Sequence, residues 1–218
     1  MRLSGNGAGT MKPSRRKKTS IRKKPAVGVL GGIFNPIHNG HCAAACLARD
    51  FFELEKVYLV PSGIPPHKYN EGIASARDRL AMTRLAAEAS TALSVWDGEI
   101  RRGGVSYSID TIRAIAARHL SRRVFFIIGS DNLPEIVSWH CFRDILAAVT
   151  LCVAHRPGHS LTVPQELTGA DIRVFPSPEW GISSTMIRNY LAKGYSCEHL
   201  LPARVVRYIK SHGLYKRS

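Results

Sequence analysis

Residues 31–41 read Gly-Gly-Ile-Phe-Asn-Pro-Ile-His-Asn-Gly-His, and this stretch decides the fold. It follows the apolar run 26–30, which is typical of a buried strand, and precedes the run 42–49, which favours a helix. Glycines in a strand-to-helix turn let the backbone approach a bound group, and the first turn of a helix offers free N–H donors to an anion. Two histidines three residues apart in this turn therefore predict phosphate chemistry.

Outward from this turn, apolar strand-like segments alternate with helix-like segments. The predicted strands are 26–31, 56–61, 93–97, 122–129, 149–154 and 172–175. The predicted helices are 39–52, 75–89, 109–120, a short region ending with 144–148, 184–192 and 203–212. Continuously apolar strands separated by helices favour a parallel sheet covered on both faces. With right-handed crossovers, the expected fold class is α/β, a Rossmann-like doubly wound parallel sheet with helices on both faces.

Composition and charge divide the chain into two parts. The net charge is +15, yet residues 1–24 alone hold nine Lys or Arg and no acid. We expect residues 1–24 to be a basic disordered extension and 25–218 to be one catalytic domain. Such an extension can contact nucleic acid non-specifically; the alternative is a solvated tail, with translation starting at Met11.

Localisation follows from what the sequence does not contain. No apolar run approaches the roughly 20 residues that a membrane span needs, and the N-terminus lacks the apolar core of a secretory signal. The five cysteines fit no zinc-binding spacing and are expected to be thiols packed in a core. We therefore expect a cytoplasmic protein that contacts no membrane and carries no metal site of its own.

Several polar clusters follow the predicted strands, and parallel topology would gather them at one edge of the sheet. They are the turn 31–41 and the segments 62–68, 129–131 and 155–158. Ligands bind beyond the carboxyl ends of the strands in such sheets. This convergence predicts an active site at that edge.

A second cluster, residues 182–188 (Ile-Ser-Ser-Thr-Met-Ile-Arg), begins a late helix. Serine at a helix start satisfies free N–H groups, and the same groups can hold phosphate oxygens together with a forked guanidinium. The alternative is an ordinary helix cap with a surface arginine. For the two histidines, the corresponding alternative is helix capping or core packing.

Three further positions each allow two interpretations. Lys68 can meet a substrate phosphate or lie in solvent. Asp131 can accept a hydrogen bond from a ribose hydroxyl or cap the next helix. Trp139 can offer its face to an aromatic ring or fill the core. The dinucleotide fingerprint, the P-loop and the hydrolase nucleophile elbow do not occur in the sequence, which disfavours those three classes.

Taken together, these motifs resemble a known family. The pattern Gly31-Gly32-x-Phe34-x-Pro36-x-His38-x-Gly40-His41, with Ile182-Ser183-Ser184-Thr185-x-Ile187-Arg188, resembles the signature of the nucleotidyltransferase superfamily that carries a histidine-x-glycine-histidine motif. Within it, the segments 65–68, 77–82, 107–111, 129–131 and 156–158 resemble those of the bacterial nicotinate-nucleotide adenylyltransferases. The resemblance runs from about residue 26 to residue 215.

The resemblance implies a reaction and a site. The 5′-phosphate of nicotinate mononucleotide would attack the α-phosphorus of ATP, giving nicotinate adenine dinucleotide and pyrophosphate for NAD biosynthesis. Mg²⁺ would accompany ATP, and catalysis would rest on His38, His41 and Arg188. The implied ATP-binding residues are Gly32, Phe34, His38, Gly40, His41, Ile182, Ser183, Ser184 and Arg188. The implied residues for the second substrate are Lys68, Ser108, Asp110, Gly129, Asp131, Trp139 and Arg156.

Two departures and three alternatives accompany this resemblance. Asn35 stands where the family usually has aspartate, and Ser108 stands where threonine is usual. A sister enzyme acting on nicotinamide mononucleotide or on phosphopantetheine would share most of the pattern, although the latter typically has threonine in place of the first histidine. A nucleic-acid-binding protein led by the basic tail is the alternative from another class. The sequence leaves the oligomeric state open.

Overall fold

The computed structural model describes residues 25–64, 72–155, 161–178 and 181–216. Strands and helices alternate along most of these ranges. The strands are β1 (Ala26–Gly32), β2 (Val57–Pro61), β3 (Leu93–Val95), β4 (Arg123–Gly129), β5 (Thr150–His155) and β6 (Ile172–Pro176). The α-helices are α1 (Asn39–Phe51), α2 (Ala76–Ala87), α3 (Gly98–Arg102), α4 (Ser108–Arg118), α5 (Phe142–Ala148), α6 (Ser184–Ala192) and α7 (Ala203–Ser211).

The strands form one sheet in the order β3-β2-β1-β4-β5-β6, and every neighbouring pair is parallel. In β1, Val29 lies opposite Tyr58 of β2 on one side and Phe126 of β4 on the other. The direction of winding reverses at β1, so a crevice opens beyond the carboxyl ends of β1 and β4. The turn 31–41 lies at this switch point.

Alternate residues of the strands feed two separate cores, one on each face of the sheet. In β4, Phe125 and Ile127 point to the face covered by α1, α2, α6 and α7. Phe126 and Ile128 point to the face covered by α4 and α5. Each fully buried side chain of this size stabilises the fold by about 1.5–3 kcal/mol, which explains why the central strands β1, β2 and β4 are almost entirely apolar. The expected α/β fold with helices on both faces is confirmed.

The element boundaries differ from the predictions in a few places. The predicted strand 93–97 ends at Val95, and α3 follows it without having been predicted. A five-residue helix is too short to show helical periodicity, so only its tertiary contacts define it. Cys152 and Cys197 are buried as expected, whereas Cys141 is exposed, because it lies in a left-handed turn before α5.

Three predictions lie outside the described residues: those for Lys68, for Arg156 and for the basic extension 1–24. Within the described part of the chain, no helix is long and apolar enough to cross a membrane.

Candidate active site

A cavity of about 810 Å³ lies in the crevice at the carboxyl ends of the strands. The residues predicted from the sequence that line it are Gly32, Phe34, His38, Gly40, His41, Ser108, Gly129, Asp131, Trp139, Ile182, Ser183, Ser184 and Arg188. They come from the turn after β1, the start of α4, the end of β4 with the loop after it, and the start of α6. The parallel topology thus brings together groups that are up to 156 residues apart in sequence (Gly32 to Arg188).

The two histidines of the turn lie against each other at the start of α1. Their rings stack with centroids 3.7 Å apart, and the edge of Phe34 packs against His41 at 5.0 Å. The backbone N–H of His38 donates to Nδ1 of His41 over 3.3 Å. Because Nδ1 of a neutral imidazole then acts as acceptor, the proton of His41 is on Nε2, which becomes a hydrogen-bond donor.

Both imidazoles are neutral in the free protein near pH 7. Burial lowers the pKa of His38 to about 4. Burial, and secondly the neighbouring His38, lowers the pKa of His41 well below its usual value. Nδ1 of His38 is buried and has no hydrogen-bond partner within the described residues. A bound anion would accept hydrogen bonds from protonated ring nitrogens and raise both pKa values, since opposite charge favours the protonated form.

The start of α6 is attached directly to the turn after β1. The Ser183 hydroxyl caps α6 by accepting a hydrogen bond from the backbone N–H of Met186 over 3.2 Å. The Ser184 hydroxyl donates to the carbonyl of Pro36 over 2.9 Å, and Nη1 of Arg188 donates to the carbonyl of Asn35 over 2.9 Å. The two sequence clusters therefore form one structure, with the free N–H groups of α6 beside the histidines.

Aromatic side chains form another part of the cavity wall. The ring of Trp139 meets Phe126 of β4 edge to face at 6.1 Å, and Tyr107 lies 4.3 Å from His140. Ser108, the first residue of α4, lies beside them on the wall. Flat rings next to helix N–H donors suit an aromatic ring that carries an anionic substituent.

The two predicted carboxylates differ in position. Asp131 lies on the wall, in the 3₁₀ turn that follows β4. Asp110 does not line the cavity: it lies in the first turn of α4, with a carboxylate oxygen 3.9 Å from Nη2 of Arg102. Asp110 and Ser108 are two residues apart in α4, and residues at this spacing project from different sides of a helix.

Sequence reasoning missed a buried polar network behind the wall. Arg79 is 2% exposed and donates to four carbonyl oxygens, those of Ile33, Ser62, Gly63 and Ala74. It thereby ties the turn after β1 to the loop after β2. The sequence held two signals: Arg79 lies in the segment 77–82 that resembles the family, and it is an arginine at an inward-facing position of α2, where a cation needs buried partners.

Glu99 of α3 is the second missed residue, and it lines the cavity. The Thr111 hydroxyl donates to it over 2.5 Å, and burial raises its pKa above the usual value. Ser106, whose hydroxyl accepts from the N–H of Gly63 over 3.1 Å, also bonds to this carboxyl group. This network holds the start of α4, which presents Ser108 to the cavity.

Comparisons with known proteins agree with this geometry. The model of the cytidylyltransferase-like family matches residues 29–190. A protein of Halalkalibacterium halodurans named probable nicotinate-nucleotide adenylyltransferase is 41% identical over 191 residues, covering 87% of this chain and 91% of the relative. A protein of the same name from Symbiobacterium thermophilum is 38% identical over 198 residues, covering 88% and 95%.

Solved structures share the fold. The nicotinic acid mononucleotide adenylyltransferase of Plasmodium falciparum, complexed with NaAD, superposes with a TM-score of 0.71 at 16% identity, covering 88% of this chain and 97% of that one. A putative nicotinate-nucleotide adenylyltransferase of Vibrio parahaemolyticus gives 0.64 at 17% identity, covering 89% and 97%.

Proposed function

The chain belongs to the cytidylyltransferase-like family, among the nicotinate-nucleotide adenylyltransferases, and from this premise we propose its reaction and the roles of its residues. It transfers AMP from ATP to nicotinate mononucleotide, forming nicotinate adenine dinucleotide and pyrophosphate. The reaction belongs to NAD biosynthesis and takes place in the cytoplasm.

One observation carries this proposal: the start of α6 is bonded to the histidine turn. The bonds from Ser184 to Pro36 and from Arg188 to Asn35 place a helix N-terminus, a guanidinium and two imidazoles around one cavity. A triphosphate is a chain of three anionic groups and needs several donors in a row. Such an arrangement favours transfer of a phosphoryl or nucleotidyl group over hydride transfer.

The roles follow from the position of each donor. His38 and His41 contact the α-phosphate, where negative charge builds up as the incoming phosphate oxygen attacks. Arg188 and the N–H groups of Ser183 and Ser184 hold the β- and γ-phosphates, which leave as pyrophosphate. Gly32, Phe34, Gly40 and Ile182 shape the ATP side of the cavity. Catalysis is then positioning and charge stabilisation, without a covalent intermediate on the enzyme.

The second substrate lies on the aromatic side of the cavity. The nicotinate ring stacks on Trp139, and its carboxylate accepts from Ser108 and the N–H groups at the start of α4. Gly129 and Asp131 face the ribose. Lys68 and Arg156 stay proposals for its phosphate, while Asp110 is left out because it does not line the cavity.

Mg²⁺ enters the proposal as a companion of ATP. Among the described residues, no group of three or more His, Cys, Asp or Glu side chains could hold a metal ion. The phosphates of ATP are hard oxygen ligands of the kind Mg²⁺ prefers, so the ion would be held mainly by the nucleotide. When bound, it supplies further neutralisation of phosphate charge.

A substrate panel tests the proposal. Nicotinate mononucleotide, nicotinamide mononucleotide and phosphopantetheine are compared at equal MgATP, with pyrophosphate release as the signal. We expect the nicotinate substrate to give the highest kcat/KM, because helix N–H donors favour a carboxylate over an amide. Preference for phosphopantetheine, or an absence of release with all three, contradicts the proposal.

A second proposal concerns the extension 1–24, whose nine cationic residues and lack of acids favour non-specific contact with nucleic acid. This contact is separate from catalysis, since the charge lies outside the catalytic domain.

A further inference from the structure

Asn35 is the one position of the turn whose residue departs from the family pattern, and the structure gives it four hydrogen bonds. Its side-chain oxygen Oδ1 accepts from the N–H of Ala74 over 3.0 Å and from the hydroxyl of Tyr215 over 2.7 Å. Its Nδ2 donates to the carbonyl of Gly72 over 3.3 Å. Its own carbonyl accepts from Arg188.

These partners fix the orientation of the amide. A backbone N–H can only donate and a carbonyl can only accept, so Oδ1 must face Ala74 and Nδ2 must face Gly72. Asn35 is 4% exposed, which makes each unsatisfied atom costly. An aspartate of the same shape would place an oxygen against the Gly72 carbonyl and a negative charge in this buried position.

Two cationic side chains border the amide. Arg188 contacts Asn35 directly, and its other nitrogen Nη2 donates to the hydroxyl of Thr185 over 3.2 Å. Arg79 donates to the carbonyl of Ile33, two residues before Asn35, and to the carbonyl of Ala74, whose N–H donates to the amide of Asn35. Both guanidinium groups therefore donate to uncharged oxygens, and their positive charge is not cancelled by these contacts.

The hydrogen bonds around Asn35 form a junction between segments of the chain, and the hydroxyl of Tyr215 is its contact with the C-terminal segment. Burial raises its pKa above the usual value, so it stays protonated and donates to Asn35. The junction thus joins four segments: the turn after β1, the residues before α2, helix α6 and the C-terminal segment.

We propose that Asn35 is a positioning residue: the bonds of its side chain hold in place the main-chain carbonyl that accepts from Arg188, and its neutral amide places no negative charge beside that guanidinium. The full charge of Arg188 is then directed at the leaving polyphosphate of the nucleotide. The inference rests on the proposed binding of ATP, but it predicts an equilibrium affinity and does not depend on which second substrate is used.

Asn35→Asp is the direct test, because it keeps the shape and adds one charge. Binding of ATP and of inorganic tripolyphosphate is measured by isothermal titration calorimetry without the second substrate. We expect Kd to rise about fivefold to tenfold for both ligands, with a weaker salt dependence. An unchanged Kd would overturn the inference, whatever the enzyme does with nicotinate mononucleotide.

Asn39→Asp is the matched control. Asn39 donates its side-chain amide to the carbonyl of His199 over 3.1 Å, so the variant loses the same kind of bond and gains the same charge four residues away. Its Kd for ATP should stay within about twofold of the parent value, because its side chain points away from the cavity toward His199. An equal loss in both variants would show a general charge effect and contradict a role specific to Asn35.

Tyr215→Phe keeps the inference testable if Asn35→Asp does not fold. It removes the 2.7 Å bond to Oδ1 without changing charge. We expect KM for ATP to rise about twofold to fourfold while KM for the second substrate is unchanged, since only the Arg188 side of the cavity loosens. Equal effects on both KM values, or none, would overturn it.

Discussion

At the scale of single residues, His41 combines a structural and a chemical role. Its Nδ1 accepts from the backbone of His38, which leaves Nε2–H free to donate to a phosphate. We expect His41→Ala to lower kcat by about 10²–10³-fold, the usual cost of removing one donor to a developing charge. The exposed His199 offers a control, and His199→Ala should keep the parent rate in a pyrophosphate-release assay. A His41→Ala enzyme of normal rate would refute the assignment.

The buried imidazole of His38 makes stability depend on pH. Its pKa is lowered to about 4 in the folded protein, so the unfolded chain binds a proton more readily. The free energy of unfolding should therefore fall as pH drops from about 6.5 towards 4, by on the order of 3 kcal/mol from this group, and stay level above that range.

Urea titrations of the parent and of His38→Asn at several pH values measure this dependence. The variant, which cannot titrate at this position, should lose less stability on acidification than the parent. The same slope in both proteins would show that His38 is not the buried group responsible.

Gly32 lies at the switch point of the sheet, where its backbone is packed closely against the ring of Phe34. A Cβ at Gly32 would lie 2.7 Å from Cε1 of Phe34, a ring that is 2% exposed and packs against His41. We expect Gly32→Ala to destabilise the fold by about 1–3 kcal/mol, as overpacking does. Gly31→Ala is the matched control, since its Cβ would meet nothing within 4 Å. Equal melting temperatures of the two variants would contradict this explanation.

At the scale of elements, the sequence predicts those strands and helices whose bounds depend on apolar periodicity or on helix capping. The strands begin and end within one or two residues of their predicted bounds, because most are apolar runs and the central strands β1, β2 and β4 are buried on both faces over most of their length. The predicted helix 184–192 agrees with α6, whose Ser183 cap is visible in the sequence. The helix α3 could not be predicted, since five residues make barely more than one turn.

The same reasoning explains which parts of the site the sequence missed. His38, Ser184 and Arg188 follow strands or begin helices, so topology alone gathers them. Arg79 and Glu99 act through bonds to loop carbonyls and hydroxyls that are distant in sequence, and no local pattern encodes those bonds. Asp110, which the resemblance assigns to the site, does not line the cavity in this structure.

At the scale of the whole molecule, we propose that most of the net positive charge and the active site belong to different parts of the chain. The extension 1–24 contributes +9 of the formal charge of +15, while the residues that line the cavity lie between positions 30 and 188. Deleting residues 1–24 should leave kcat/KM for both substrates unchanged and abolish salt-sensitive binding to DNA or RNA. Fluorescence polarisation with a labelled oligonucleotide at several salt concentrations measures the second effect. Lost catalysis would mean that the extension belongs to the enzyme's active form.

The central claim is that the histidine turn and the start of α6 together hold ATP for attack at its α-phosphorus. The most direct measurement uses ATP labelled at the α-phosphorus in one sample and at the γ-phosphorus in another, with nicotinate mononucleotide as acceptor. We expect the α label to appear in the dinucleotide and the γ label in pyrophosphate. Recovery of the γ label on the acceptor, or of neither label outside ATP, would contradict adenylyl transfer.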